Sequence, residues 1–477
     1  MKTQLTLCIS GTLLLVGMSG CEKTPERPMN VVYILADDLG YGDVGCYGQQ
    51  IIKTPNIDRM AKEGMLFTQH YAGCTVSAPS RCSLMTGLHT GHTQVRGNRE
   101  ITPEGQQPMR EDTYTLGKLM KSAGYTTGIF GKWGLGNPGS VSIPNKMGFD
   151  EFYGYNCQRQ SHSFYPDHLW HNEEKVLFPE NENNACKTYS QDLIHEQALK
   201  FIRDHKEQPF FAMLTYTLPH AELNLPHDSI YKMYENSFEE TPYIGKFDKV
   251  YGGYNTSEKP LASFAAMVSR LDKYVGDVMA ELKELGLDKN TIVIFTSDNG
   301  PWLTEHENGG SAGPLKDGKG TWWEGGFRVP AICWMPGKIN PAINDEIMTS
   351  MDLYPTFLSM AGIEQPKDLV LDGVNQTGLL FEEKHSARDE VYYWWGSELM
   401  AIRKGEWKYY FKTIKDQYLR TCKIETPAEP LLYNVETDIS ERFNQAEKHP
   451  EIVKLLIEAG EKHKKGMKIK PSVCDMM

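Results

Sequence analysis

The sequence lacks several features that would indicate other classes of protein. It contains no CxxC pair, which argues against a zinc ribbon or a thioredoxin-like redox site. It has no repeat of fixed period and no low-complexity tract, and 40% of its residues are hydrophobic, which argues against disorder of the bulk. It also lacks an excess of positive charge: the formal net charge is −12, whereas nucleic-acid binding draws on clustered Lys and Arg. We therefore expect a folded globular protein with no nucleic-acid partner.

The first 20 residues have the pattern of an export signal. Lys2 supplies a short positive region, residues 5–18 are mostly apolar, and small residues precede Cys21. The pattern resembles a bacterial lipoprotein signal, in which Cys21 becomes the acylated N-terminus; the alternative is an ordinary cleaved signal with an incidental cysteine. We expect an exported, lipid-anchored protein in the periplasm, the outer membrane or the cell surface of a Gram-negative bacterium. Export permits disulfides among the remaining cysteines, but the sequence does not indicate their partners.

Apolar, β-branched runs alternate with amphipathic runs through the first 330 residues or so. The apolar runs predict buried strands of a parallel sheet at residues 30–36, 126–130, 210–216 and 291–296. The amphipathic runs predict helices at residues 56–67, 115–123, 191–205 and 262–285. This alternation predicts an α/β fold, with a large, mainly parallel or mixed sheet between two layers of helices.

The pattern changes after about residue 362. Short strands are predicted at residues 391–395, 399–403, 408–411 and 431–434, followed by a closing helix at 450–463. A chain of 477 residues is also longer than one hydrophobic core usually organises. We therefore expect one domain at residues 21–374 and a smaller α+β domain with an antiparallel sheet at 375–477, which serves as packing scaffold.

Acidic and amide side chains follow two of the predicted strands. Asp37 and Asp38 come directly after the first strand, and Asp298 and Asn299 come after the strand at 291–296. Ligand sites of open α/β sheets lie at the strand ends, so we expect these residues to meet. Oxygen ligands without imidazole or thiolate suit calcium or magnesium and disfavour zinc. Taken alone, each dipeptide is more often a helix cap or a turn.

The run Ser77-Ala78-Pro79-Ser80-Arg81 matches the formylglycine signature of the sulfatase family. Asp37-Asp38 precedes it, and Gly131-Lys132-Trp133, Ser297-Asp298-Asn299-Gly300 and the Gly- and Trp-rich segment 318–330 follow in order. The chain resembles type I, formylglycine-dependent, arylsulfatase-like members of the alkaline phosphatase superfamily from about residue 29 almost to its end. The resemblance implies an alkaline phosphatase-like fold and hydrolysis of sulfate esters.

The resemblance also implies roles for individual residues. By this resemblance, Ser77 would be oxidised to formylglycine (3-oxoalanine) by a radical-type sulfatase-maturating enzyme, and its hydrate would be the nucleophile. The implied calcium ligands are Asp37, Asp38, Asp298, Asn299 and the modified Ser77. The resemblance further implies that Arg81 would orient residue 77, that Lys132 and Lys319 would bind sulfate oxygens, and that His220 would be the general acid.

One position departs from the family pattern. Many members read Gly-Lys-Trp-His, but this chain has Gly134 where they have the histidine that assists release of sulfate. His162 and His306 are candidate replacements, and His162 is a candidate substrate-binding residue. Either could instead be a surface or structural histidine.

We expect the substrate to be a sulfated monosaccharide or short oligosaccharide, such as galactose or N-acetylgalactosamine sulfate. The segment 152–170 is rich in aromatic side chains, which either line the cleft or are buried packing. Residues 95–99 are a further candidate for substrate contact. Two rival interpretations remain: a phosphodiesterase or phosphonate hydrolase of the same superfamily, and an inactive glycan-binding protein in which Ser77 is never oxidised.

Overall fold

A mixed sheet of ten strands lies at the centre of the structure, a computed structural model that describes residues 27–245, 254–303, 309–415 and 423–467. The strands up to residue 349 in these ranges are β1 (Asn30–Ala36), β2 (Met65–Phe67), β3 (His70–Tyr71), β4 (Thr126–Lys132), β5 (Glu151–Tyr155), β6 (His168–His171), β7 (Glu174–Leu177), β8 (Phe210–Thr215), β9 (Thr291–Ser297), β10 (Ala331–Trp334), β11 (Ala342–Asn344) and β12 (Met348–Thr349). The sheet order is β11-β2-β10-β9-β1-β8-β4-β5-β6-β7, and β3 pairs separately with β12. The middle strands β9-β1-β8-β4-β5 are parallel, and β10 and β6 add antiparallel neighbours.

The central strands are apolar throughout because both faces of the sheet are covered. In β1, Val32 and Ile34 pack into one hydrophobic cluster, while Val31 and Leu35 pack into the cluster on the opposite face. The helices of the described residues are α1 (Pro55–Glu63), α2 (Ser77–Thr86), α3 (Leu116–Ser122), α4 (Ser190–Asp204), α5 (Ser229–Lys232), α6 (Pro260–Glu284), α7 (Glu324–Phe327), α8 (Leu353–Met360), α9 (Thr377–Phe381) and α10 (Pro450–Gly466). Helices α1, α4 and α6 cover the first face, and α2, α3, α8 and α9 cover the second. The predicted α/β fold class is confirmed.

One predicted element is wrong. Residues 56–67 are not a single helix: α1 ends at Glu63, and residues 65–67 form β2, which pairs with β10. Gly64 marks the change, because a Cβ there would lie 2.4 Å from the carbonyl oxygen of Cys333 in β10. The chain must therefore leave the helix where it meets the sheet.

The C-terminal part contains the predicted antiparallel sheet. Its strands are β13 (Glu390–Trp395), β14 (Glu398–Lys404), β15 (Trp407–Tyr410) and β18 (Leu431–Asn434), and a hairpin of β16 (Thr413–Lys415) and β17 (Lys423–Glu425) extends from it. Tyr393 and Met400 of this sheet share a hydrophobic cluster with Tyr71, Trp322 and Phe327 of the preceding part. The C-terminal sheet therefore packs directly against β3 and the segment around Trp322 and Phe327. The division of the chain at residue 375 stays a prediction.

Several sequence predictions fall outside the described residues. They are the export signal at 1–20, Cys21 and His306. Within the described ranges, six cysteines are free thiols, and no helix is both long and apolar enough to cross a membrane.

Candidate active site

The carboxyl ends of the parallel strands bring the predicted site residues together. Asp37 follows β1 and Asp298 follows β9, and the two strands pair in parallel with Ala36 opposite Ser297. Lys132 is the last residue of β4, and His220 lies on the segment that follows β8. The expectation that the residues following β1 and β9 meet at one edge of the sheet is confirmed, and Lys132 and His220 lie at the ends of neighbouring strands.

Ser77 is the first residue of α2 and is buried in the middle of this group. Its Oγ donates to Asp37 Oδ1 at 3.0 Å, and Lys132 Nζ lies 3.5 Å from the same Oγ. Asn98 Oδ1 accepts the next backbone N–H of the helix, that of Ala78, at 2.9 Å. A reactive group at position 77 would thus lie at the positive end of a helix, next to one carboxylate and one ammonium group.

Each of the three aspartates of this site pairs with a cation. Lys132 Nζ lies 2.5 Å from Asp37 Oδ2, and Lys319 Nζ lies 2.7 Å from Asp38 Oδ2. Arg81 Nη2 lies 2.9 Å from Asp298 Oδ2. The guanidinium also donates to the carbonyl oxygen of Lys132 at 2.8 Å, so it links the strand ends.

The crowding of these carboxylates in a buried site shifts their pKa values. Burial and the neighbouring Asp37 raise the pKa of Asp298 to about 6, and burial also raises the pKa of Asp38 despite Lys319. Burial acts in the same direction on Asp37, but Lys132 and the other nearby cations outweigh it and lower the pKa of that carboxyl. A divalent cation would relieve this repulsion.

The residues present fit a calcium ion. Asn299 Nδ2 donates to Asp38 Oδ1 at 2.7 Å, whereas Asn299 Oδ1 is buried without a hydrogen-bond partner in the described part of the chain. Asp38 has a φ of +61°, a conformation uncommon for a non-glycine residue. Three carboxylates and an unpaired amide oxygen are the hard oxygen donors that calcium takes.

His220 and His162 form a stacked pair at the edge of the site. His220 Nε2 lies 3.4 Å from Asp38 Oδ2, and its Nδ1–H donates to the carbonyl oxygen of Ala221. The His162 ring lies 4.6 Å from the His220 ring at an interplanar angle of 13°. Burial, and then nearby cations, hold the pKa of each histidine well below its ordinary value. The structure therefore places His162 beside His220, and its role in substrate binding or sulfate release stays a prediction.

A side chain at position 134 would meet the end of the Gln158 side chain. Gly134 has a φ of +72°, and a Cβ on it would lie 2.6 Å from Gln158 Nε2. Gln158 is buried, and its Nε2 has no hydrogen-bond partner among the described residues. Backbone strain and Gln158 together account for glycine at this point in the chain.

Two aromatic residues that the sequence did not indicate lie beside these histidines. The Trp302 ring lies 5.4 Å from the His220 ring and 4.8 Å from Lys319 Nζ. The Tyr254 ring lies 5.8 Å from the His162 ring. The only sequence signal for Trp302 is its place just after Asp298-Asn299-Gly300-Pro301; Tyr254 has none.

The aromatic segment 152–170 is mostly packing. Tyr153, Tyr155 and Tyr165 lie in the hydrophobic core, and Trp170 donates its Nε1–H to Glu104 at 2.6 Å. Among the described rings of this segment, only that of His162 contacts other rings of the site, namely those of His220 and Tyr254. In the segment 95–99, Asn98 supports the start of α2.

Comparison with known proteins identifies the family. The family model described as sulfatase matches residues 29–363, and the model of the C-terminal region of aryl-sulfatase matches residues 386–477. The N-acetylgalactosamine-6-sulfatase of Canis lupus familiaris is 34% identical over 420 residues, which cover 83% of this chain and 73% of that protein.

Two solved structures are similar over nearly the whole chain. The PsFucS1 sulfatase from Pseudoalteromonas sp. is 27% identical with a TM-score of 0.76, covering 94% of this chain and 92% of that one. Ps i-CgsB in complex with k-i-k-neocarrahexaose is 28% identical with a TM-score of 0.75, covering 92% and 93%. The family models and the named sulfatases do not favour the rival phosphodiesterase or phosphonate hydrolase. The chain belongs to the sulfatase family and is a sulfuric ester hydrolase.

Proposed function

We propose that this sulfatase removes sulfate from a sulfated sugar, using a formylglycine derived from Ser77 and a calcium ion held by Asp37, Asp38, Asp298 and Asn299. The observation that carries the proposal is the position of Ser77 Oγ, 3.0 Å from Asp37 Oδ1 and 3.5 Å from Lys132 Nζ at the start of α2. A nucleophile at this position would adjoin both the carboxylates that suit the metal and an ammonium group that suits sulfate.

An unmodified serine would be a poor catalyst here, because attack on sulfur would leave it as a stable sulfate ester. A hydrated formylglycine supplies two hydroxyl groups, one to attack sulfur and one whose deprotonation expels sulfate as the aldehyde re-forms. We propose that a radical-type maturating enzyme makes this modification on Ser77. Arg81 would hold the modified residue in place through its contacts with Asp298 and the carbonyl oxygen of Lys132.

The chain's own cations suit a sulfate ester. Calcium would supply further positive charge for the sulfate oxygens. Lys132 and Lys319 bring two ammonium groups into the buried site, and each can exchange an aspartate contact for a sulfate oxygen. Elsewhere in the family, the histidine found where this chain has Gly134 assists release of sulfate. His162, which stacks on His220, is the candidate for that proton transfer or for a contact with the substrate.

His220 would donate a proton to the leaving oxygen as the sulfur–oxygen bond breaks. Its Nδ1–H is engaged by the carbonyl oxygen of Ala221, which leaves Nε2 as the atom that carries the proton to the substrate. In the free site its lowered pKa favours the neutral ring. The negative charge of a bound sulfate ester would favour the protonated ring.

Replacing His220 by glutamine is expected to affect substrates unequally. Turnover of a sugar sulfate should fall by about 10²- to 10⁴-fold, because a sugar alkoxide needs a proton to leave. Turnover of 4-nitrophenyl sulfate should fall much less, because nitrophenolate leaves without one. The matched control is His195→Gln, since His195 is a buried histidine that hydrogen-bonds Tyr216 and Asp277 outside the site. Equal losses on the two substrates would show that His220 is not the general acid.

A sugar is the substrate class that best suits the side of the site that is lined by aromatic and imidazole rings. Trp302 and Tyr254 lie against His220 and His162, and aromatic faces of this kind stack on apolar faces of sugar rings. The relatives support the same class, since one is named for N-acetylgalactosamine 6-sulfate and another is solved with an oligosaccharide. Galactose or N-acetylgalactosamine sulfate is the specific proposal.

The test is a panel of galactose and N-acetylgalactosamine sulfates, each carrying one sulfate at a defined ring position. We expect release of sulfate from one position with a kcat/KM at least about 100-fold above the others, because a pocket that hydrogen-bonds particular hydroxyl groups rejects misplaced ones strongly. Turnover of aryl sulfates alone would contradict the sugar assignment. Binding of a panel member without hydrolysis, by protein from its native host, would favour the glycan-binding interpretation.

We also propose export and lipid anchoring through Cys21. This rests on the signal pattern of the first 20 residues alone.

A further inference from the structure

The loop that carries Lys319 is supported by a buried lysine from the C-terminal sheet. Lys408, on β15, is fully buried, and its Nζ donates to the carbonyl oxygen of Trp322 and to Glu324 Oε1, each at 2.8 Å. Trp322 and Glu324 follow Lys319 by three and five residues. A charge that belongs to the second sheet therefore contacts the backbone just beyond a proposed sulfate-binding residue.

This contact belongs to a larger buried network. The Glu324 backbone N–H donates to Glu441 Oε2 at 2.7 Å, and Lys408 Nζ lies 3.4 Å from Glu441 Oε1. The Tyr410 hydroxyl donates to the carbonyl oxygen of Trp322 at 3.0 Å. Burial acts to raise the pKa of Glu324, but Lys408 and Arg403 outweigh it and lower that pKa to about 2. Charges buried in this way are held in fixed geometry, since losing either partner leaves the other uncompensated.

The opposite side of the loop is attached to the segment that carries the nucleophile. Thr75 lies two residues before Ser77, and its Oγ1 accepts the backbone N–H groups of Gly320 at 2.7 Å and Thr321 at 3.1 Å. Only Gly320 and Thr321 separate Lys319 from Trp322. The loop is thus fixed to the Ser77 segment on one side and to β15 on the other, with the Lys319 ammonium directed to Asp38 at 2.7 Å.

We propose that Lys408 is a positioning residue of the active site, which holds the Trp322 carbonyl and Glu324 so that the Lys319 ammonium stays beside Asp38. On this account the C-terminal sheet is part of the catalytic apparatus as well as packing scaffold. The inference rests on the proposed role of Lys319 in binding sulfate.

The test is a double-mutant cycle on the mature, full-length enzyme with the best substrate of the panel. Lys408→Met is expected to lower kcat/KM by about 10²-fold at a temperature where circular dichroism shows the variant folded, because small displacements of a charge-stabilising group are costly. In a Lys319→Ala background the same substitution should cause no further loss, because the group it positions is already gone. Arg388→Met is the matched control: it breaks the buried pair with Asp352 away from the loop and should leave kcat/KM unchanged.

A milder variant keeps the test valid if Lys408→Met does not fold. Tyr410→Phe removes only the hydroxyl that bonds the Trp322 carbonyl and Glu441, and should lower kcat/KM about fivefold, again only when Lys319 is present. Equal losses with and without Lys319 would show a purely structural role and overturn the inference. Full activity of Lys319→Ala itself would instead overturn the proposed role of Lys319. An impaired Lys319→Ala together with a fully active Lys408→Met would overturn the positioning role alone.

Discussion

Ser77→Ala is expected to abolish turnover, with kcat falling by at least about 10⁴-fold, as when the nucleophile of a hydrolase is removed. Alanine has no oxygen to attack sulfur, and a maturating enzyme has no hydroxyl to oxidise. Substrate binding should persist, because Lys132, Lys319 and His220 are unchanged. The measurements are sulfate release for turnover and calorimetry for binding.

Two controls distinguish loss of the nucleophile from damage to the helix. Ser83→Ala removes another buried hydroxyl of α2, one that donates to the carbonyl oxygen of Leu88, and should retain activity. Ser77→Cys keeps an oxidisable group in the formylglycine signature and should regain activity when a suitable maturating enzyme is co-produced. Intact mass of the peptide containing Ser77 should show the loss of two hydrogen atoms in wild-type protein. Turnover of Ser77→Ala near the wild-type rate would contradict the proposed nucleophile.

The central elements could be predicted because their local pattern and their tertiary environment agree. Strand β1 is buried on both faces, so an uninterrupted apolar run identifies it, and the same holds for β8 and β9. Strand β2 could not be predicted, because residues 65–67 continue the apolar pattern of α1. Their strand conformation comes from pairing with β10, more than 260 residues away along the chain.

The same distinction applies to the active site. Asp37 and Asp298 could be brought together from the sequence because each follows a strand in the parallel part of one sheet. Trp302 and Tyr254 could not, since their positions depend on how loops fold over the strand ends. The contact between Lys408 and Glu324 spans 84 residues and depends on the packing of the second sheet.

The charges of the site are the reason we expect the proposed calcium ion to be required. The three carboxylates are matched by three cations, in the pairs Asp37 with Lys132, Asp38 with Lys319, and Asp298 with Arg81. A buried cluster in which the positive and negative charges are equal in number has little net attraction for an anionic sulfate ester. The chain as a whole has a net charge of −12. A divalent cation among the carboxylates would make the site positive and free the ammonium groups for the substrate.

Removal of calcium is therefore expected to reduce turnover by at least about 10³-fold, because transition-state charge would lose its main stabilising group. It should also lower stability, since a ligand at a hundred times its Kd stabilises the native state by about 2.7 kcal/mol. The measurements are sulfate release in excess chelator and after calcium is restored, and thermal unfolding of metal-free protein with increasing calcium. Zinc should not substitute, because the carboxylate and amide donors are all oxygen.

Asp298→Asn tests whether the effect of calcium on stability arises at this site. It keeps the size of the side chain but removes a carboxylate that lies 2.9 Å from Arg81 and follows β9. The calcium-dependent rise in melting temperature should disappear in this variant. It should persist in Asp277→Asn, which changes a carboxylate that pairs with His195 and Lys273 outside the site. Full turnover of metal-free wild-type protein in chelator, or an unchanged calcium response in Asp298→Asn, would contradict the proposed calcium site. The carboxylates would then only form ion pairs with the two lysines and the arginine.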